Sequence, residues 1–170
     1  KGDTMRLALT QIMHTPSASL PFSDSVDLSD LQYGTCYPVS EPVRIEGTVR
    51  NTADVLVMKG SITTRIHGVC DRCASEFSRD VVIPVDVVLV EELTNEDSED
   101  EGVFPLDAEA ADLDEIVRTV FVLNFDAKLL CKPDCKGLCC RCGRNLNHED
   151  CTCEKEIDPR FAALRQLLNK

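Results

Sequence analysis

Apolar and polar residues alternate over much of the first ninety positions, the period-two pattern of half-buried β-strands. MRLALTQIM (5–13) alternates weakly and predicts a first strand. After a Ser/Pro-rich link, TPSASLP, the segment FSDSVDL sets Phe22, Val26 and Leu28 on one strand face. Val43, Ile45 and Val49 then alternate with Arg44, Glu46, Thr48 and Arg50, and Asn51-Thr52-Ala53-Asp54 is the turn that ends this strand. The next strand is expected from Val55 to Val69, with Gly60 marking a bulge or a sharp bend. Cys70 to Glu76 connect it to a long alternating run, Val81, Ile83, Val85, Val87 and Leu89, in which Pro84 argues for an edge or a bulge. The result is an antiparallel meander with a Cys-x-x-Cys at one hairpin tip.

The period changes to that of a helix after Asp112-Leu113-Asp114-Glu115, which resembles a capping box. Leu113, Ile116, Val117, Val120 and Phe121 follow at helical spacing, so this helix should lie on the sheet and form the main core with it. At the far end Asp158 caps, Pro159 takes the first helical position, and Phe161, Leu164, Leu167 and Leu168 form an apolar stripe that docks on the protein or on a partner. The expected fold class is α+β. It is an antiparallel β-meander or partly open barrel packed with one central helix, plus a C-terminal cysteine-rich zinc-binding appendage and a short terminal helix. The expected division is a β-rich core domain over 5–130 with an acidic loop at 91–115, and a zinc-binding tail with the C-terminal helix over 131–170.

Composition narrows the class. A chain of 170 residues, 43% hydrophobic and without an apolar run of 18, reads as soluble and large enough to bury a core. Lys1 to Thr4, ahead of Met5-Arg6-Leu7, read as a cloning remnant, and nothing at the N-terminus reads as a secretory signal. The net charge of -12 comes from one segment: Glu91 to Glu115 carries twelve acids and no Lys or Arg, while elsewhere 18 acids face 18 bases. NEDSEDEG within it is expected to be a solvated loop, since its like charges repel and it has nothing to bury. From Cys131 onward eight basic residues face six acidic ones, which permits a neutral-to-basic face beside the acidic segment.

Candidate chemistry is concentrated in CKPDCKGLCCRCGRNLNHEDCTC (131–153), which holds seven of the ten cysteines and is too polar to bury a core of its own. Cys139-Cys140-Arg141-Cys142-Gly143 contains a Cys-x-x-Cys-Gly knuckle, and Cys151-Thr152-Cys153 supplies a second pair. Four thiolates around one ion select zinc, or less often an iron–sulfur cluster. Cys131 and Cys135 are then a half-site, completed by Cys70-Asp71-Arg72-Cys73 upstream. The division is therefore two zincs: Cys70, Cys73, Cys131 and Cys135 for one, and Cys139, Cys142, Cys151 and Cys153 for the other, with Cys36 and Cys140 outside. Alternatives at this point are a single zinc in the tail with Cys70 and Cys73 as a free or redox pair, His148 replacing a tail cysteine, or disulfides. Ten cysteines in a chain read as leaderless favour the cytoplasm and thiolate chemistry.

Taken together, Cys70-Asp71-Arg72-Cys73, LLCKPDCKGLCCRCGRNLN, Cys151-Thr152-Cys153 and Asp158-Pro159-Arg160 with its Leu-rich ending resemble the YceD family, the large ribosomal RNA subunit accumulation proteins. Cys140 departs from the pattern, since proline is expected in that knuckle, and it adds a thiol beside the site. The resemblance implies a bacterial cytoplasmic protein, with counterparts in chloroplasts, needed for accumulation of large-subunit ribosomal RNA. It also implies a gene often placed beside that of a zinc-containing ribosomal protein.

Three functions are weighed. The first is a non-catalytic ribosome-assembly factor whose zinc tail presents Lys132, Lys136, Arg141, Arg144 and the amides of Asn145 and Asn147 to ribosomal RNA phosphates. Arg72, between two proposed ligands, is a weaker candidate for the same RNA contact, with a hydrogen bond to a ligand thiolate as its alternative role. The second is an escort for a basic ribosomal protein, with the acidic segment as bait. The third is a thiol oxidoreductase using Cys70 and Cys73, against which counts their place in a strand connection, away from a helix N-terminus. No glycine-rich phosphate loop and no His-Glu-x-x-His occurs, and a closed four-thiolate site leaves zinc no open position for hydrolysis.

Overall fold

The structure, a computed structural model, describes residues 5–34, 36–53, 55–91, 102–126 and 128–153. Lys1 to Thr4, Asn95 to Glu101 of the acidic run, Asp54 and the expected terminal helix lie outside the described residues. Five strands form the main sheet in the order β2-β3-β4-β5-β6: β2 is Ser19–Val26, β3 Val43–Thr52, β4 Val55–Val69, β5 Glu76–Val90 and β6 Val103–Pro105. The first four run as an antiparallel meander, and β6 joins β5 in parallel. A second, two-stranded sheet pairs β1 (Arg6–Ala8) with β7 (Ala110–Asp112).

The alternation does what the pattern requires. Ile45 and Val49 of β3, Met58, Ile62 and Ile66 of β4, and Ile83, Val85, Val87 and Leu89 of β5 are buried, while Arg44, Glu46, Thr48 and Arg50 are exposed. Gly60 marks no bulge, because the register with β3 runs unbroken from Arg44↔Thr63 to Thr52↔Val55. It marks a close approach: Gly60 faces Gly47, and a Cβ on either would lie 2.3 Å from a backbone oxygen of the other strand. Pro84 lies on an edge. Among the described residues β5 meets β6 only at Val88–Val90, where the Val88 N–H donates outward to Gly102 O (2.8 Å). By alternation the nitrogen of Pro84 also points outward, where no described strand asks it for a proton.

The first predicted strand is shorter than expected. Only Arg6–Ala8 is extended, and Thr10–Met13 forms a one-turn helix, α1, that turns Leu9 and Ile12 into the core. The segment 91–115 is likewise not one acidic loop, since β6, β7 and the start of the main helix lie within it. Its apolar members explain this: Phe104, Ala111 and Leu113 are buried.

That helix, α2, spans Leu113–Asn124, and the Asp112 carboxylate accepts from the Glu115 N–H (3.0 Å) as an N-cap. Its buried residues are Leu113, Ile116, Val117, Val120 and Phe121, the stripe read from the spacing, and it packs against β1, β2 and β5. Burying five such side chains contributes on the order of 10 kcal/mol before the entropy of ordering them. Phe121 stacks on Phe125 (5.0 Å between centroids), which meets Tyr33 edge-on (5.2 Å). The chain leaves α2 toward the β4–β5 hairpin tip, where Leu129 is buried against Gly68. Among the described residues no helix is long and apolar enough to cross a membrane.

Candidate metal centre

Two groups of four cysteines converge, each with its sulfurs within 4.8 Å of one another. In the first, the β4–β5 connection folds into a knuckle: Cys70 N–H donates to Ser75 O (2.9 Å), Ala74 N–H donates to Cys70 O (2.8 Å), and Ala74 takes the left-handed turn at φ 55. The tail is laid across this knuckle by four hydrogen bonds. Asp71 N–H donates to Leu129 O and the Asp71 carboxylate accepts from Leu129 N–H, both at 2.8 Å. The Arg72 guanidinium donates to Cys135 O (3.1 Å), and Arg72 O accepts from Leu138 N–H (3.0 Å). Gly137, at φ 76, is needed there because a Cβ would sit 3.0 Å from Arg72 O.

The sulfurs are spaced for a shared ion. Cys70 and Cys135 are 3.8 Å apart, and Cys73 and Cys131 are 3.7 Å apart. Zinc–sulfur bonds of about 2.3 Å in a tetrahedron require sulfurs about 3.8 Å apart. None of the ten cysteines is in a disulfide. Burial pushes the Cys70 thiol up, yet the amides of Cys131, Arg72 and Cys73 aimed at it outweigh this and bring it down to about 6. Burial and then the neighbouring thiols of Cys135, Cys73 and Cys70 push Cys131 up to about 12. Hydrogen bonds from the backbone and side chain of Ser75 lower the Cys73 thiol as well, so Cys70 and Cys73 ionise more readily than a free thiol, while the ionisation of Cys131 waits on a cation.

The second group, Cys139, Cys142, Cys151 and Cys153, is built locally. Cys139 N–H donates to Arg144 O (2.8 Å) and Gly143 N–H donates back to Cys139 O (2.9 Å), with Gly143 at φ 71. The amides of Cys142 and Arg141 lower the Cys139 thiol to about 6, while the Cys142 thiol and burial raise Cys153 to about 12. Cys139 is buried and Cys142 exposed, whereas Cys70, Cys73 and Cys135 of the first group are all buried. Both groups can hold a metal ion, and their all-sulfur donor sets are compatible with zinc.

The remaining expected residues fall outside the sulfur groups. Cys36, exposed Cys140 and His148 are not among the converging ligands. Lys132, Lys136, Arg141 and Arg144 are exposed, and Arg144 lies 3.9 Å from Glu149. Arg72 donates to a carbonyl of the ligand-bearing chain where its alternative role required a sulfur. Asn145 and Asn147, expected to face RNA, are spent internally: Asn145 donates to Ser75 Oγ (3.2 Å), and Asn147 donates to Cys135 Sγ (3.3 Å) and Asn145 Oδ1 (2.8 Å). Sequence reasoning missed Asp71, Ser75 and Leu129 as parts of this frame. Their only sequence signal is adjacency to cysteines.

Fold and site define a class: a mostly β protein whose meander hairpin and following tail share a four-cysteine cluster, with a second cluster farther along the tail. The chain belongs to the YceD family, whose model, Large ribosomal RNA subunit accumulation protein YceD, matches residues 58–168. An uncharacterised protein of Mycobacterium tuberculosis is 28% identical over 122 residues, 71% of this chain and 59% of that protein. The chloroplastic Large ribosomal RNA subunit accumulation protein YCED homolog 1 of Arabidopsis thaliana is 25% identical over 148 residues, 71% of this chain and 46% of that protein. The chain therefore spans about half the length of these relatives. The uncharacterised protein YlbN of Bacillus subtilis matches at 25% identity over 98% of each. No solved structure matches the chain.

Proposed function

We propose that this protein is a non-catalytic, cytoplasmic factor in large ribosomal subunit biogenesis that supports accumulation of large-subunit ribosomal RNA by binding precursor RNA or the pre-ribosome through a zinc-stabilised tail. In this reading each cysteine group holds one zinc as a closed structural site. The observation that carries it is the convergence of the hairpin cysteines with Cys131 and Cys135 at tetrahedral spacing, in a chain of the YceD family. Zinc supplies the folding energy that a polar tail cannot draw from burial. Lys132, Lys136, Arg141 and Arg144 then offset the negative zinc–thiolate charge and meet phosphates. The thiol oxidoreductase reading loses support because Cys70 and Cys73 are buried in a hairpin connection beside two further cysteines.

The test measures binding of the full, zinc-loaded chain to large-subunit precursor RNA transcripts over a range of salt. Lys132→Ala with Lys136→Ala should weaken binding and lower the salt slope by about one per lost phosphate contact. Deleting Asn95 to Glu101 should leave RNA affinity unchanged or raised. If that deletion instead abolishes capture of a basic ribosomal protein while RNA is never bound, the chain is an acidic escort and the RNA reading fails.

A further inference from the structure

Asn145-Leu146-Asn147, part of the motif that carries the family resemblance, lies in the loop closed by the second cysteine group, between Cys142 and Cys151. Its side chains nevertheless serve the first group. Asn147 donates one amide hydrogen to Cys135 Sγ (3.3 Å) and one to Asn145 Oδ1 (2.8 Å), while its own oxygen accepts from Lys136 N–H (2.9 Å). Asn145 Oδ1 also accepts from Asn147 N–H (3.0 Å), and Asn145 Nδ2 donates to Ser75 Oγ (3.2 Å). Ser75 is the residue whose carbonyl receives the Cys70 N–H. A hydrogen-bonded path therefore joins the hairpin half of the first group to its tail half, through a loop whose ends the second group holds.

We propose that Asn145 and Asn147 are positioning residues for the first cysteine group, and that through them metal binding at the two groups is cooperative. This rests on the reading above that both groups bind zinc. The Asn147 amide steadies the Cys135 thiolate and fixes its direction, as donors behind a metal ligand do. An ion in the second group orders the loop carrying both asparagines, so the first ion no longer bears the cost of ordering it.

Anaerobic titration of the metal-stripped full chain with cobalt, followed by its thiolate charge-transfer bands and by competition with zinc, tests this. Asn147→Asp keeps the acceptor for Lys136 but turns an anion toward Cys135. It should weaken the first group about 10–100-fold and shift its bands, whereas a residue that merely caps Lys136 would be unaffected. Cys151→Ser should weaken the first group, and Cys73→Ser the second, by the same factor. If Asn147→Asp does not fold, Asn145→Ala carries the same expectation of weaker first-group binding. A wild-type chain that binds two ions, with first-group affinity unchanged in Asn147→Asp and Asn145→Ala and each group indifferent to the other's cysteine variant, overturns this inference and leaves the zinc reading standing. A wild-type chain that binds no ion overturns the zinc reading, and this inference with it.

Discussion

The first cysteine group joins a hairpin tip to a segment 58 positions away along the chain, while the second takes all four thiols from Cys139 to Cys153. The first is packed against Phe77 and Leu130 and braced by Asp71, Arg72, Asn145 and Asn147. The second has an exposed member and rests on two backbone hydrogen bonds around Gly143. Equal donor sets thus depend on different things. One needs the sheet already folded to bring its halves together, and the other needs little more than a tight turn. Long-range closure makes the first a clamp on tertiary structure.

The largest expected difference comes from removing one ligand of each. Cys135→Ser should lower the bound metal by one equivalent, release the tail from the hairpin and sharply lower the unfolding temperature, since structural zinc contributes on the order of 10 kcal/mol in small domains. Hydrogen exchange at the Asp71 and Leu129 amides should accelerate with it. At saturating metal, Cys151→Ser should also remove one equivalent yet leave those amides protected; if they open equally, the contrast between clamp and local knuckle is wrong. Next in size, Phe121→Ala should cost about 3–5 kcal/mol by opening a cavity under α2. Denaturant titration of that variant should show the sheet melting while the cobalt spectrum of the second group persists. Simultaneous loss of both signals would break the distinction.

Acid provides the finest discrimination. Metal entry must expel protons from Cys131 in the first group and from Cys151 and Cys153 in the second, all three raised above an ordinary thiol. Each proton released makes affinity fall about tenfold per pH unit, ~1.4 kcal/mol, as pH drops. Below about 6, Cys70 and Cys139 take up protons as well, and the fall at each group should steepen by a further factor of about ten per unit. Because the second group is the more exposed, its ion should leave first on acidification. Zinc release measured with a colorimetric chelator would show a single step if the two groups were equivalent.

Legibility in the sequence followed the range of each interaction. The ends of β4, the edge position of Pro84 and the buried stripe of α2 were readable because each depends on a short-period pattern: Val55 to Val69 alternates, proline cannot donate, and Leu113 to Phe121 repeats at helical spacing. The split of 5–13 into β1 and α1 was not readable, because Leu9 and Ile12 are placed by the core they enter. Nor was β7, whose three residues are extended only because β1 pairs with them. The cysteine spacing alone proposed both groups and left several pairings open; the folded hairpin is what brings Cys70 and Cys73 against Cys131 and Cys135.

The asparagines mark the boundary most clearly. From the sequence, Asn145 and Asn147 were polar residues on a polar tail, equally suited to meet RNA or water. The tertiary structure turns them inward to Ser75, Lys136 and Cys135. The amino-acid order by itself determined the local elements and the thiol inventory, because propensity, periodicity and ligand chemistry act within a few residues. Which polar groups face the sulfurs and which face solvent was decided only when segments far apart in the chain met, because a hydrogen bond depends on where its partner is in space.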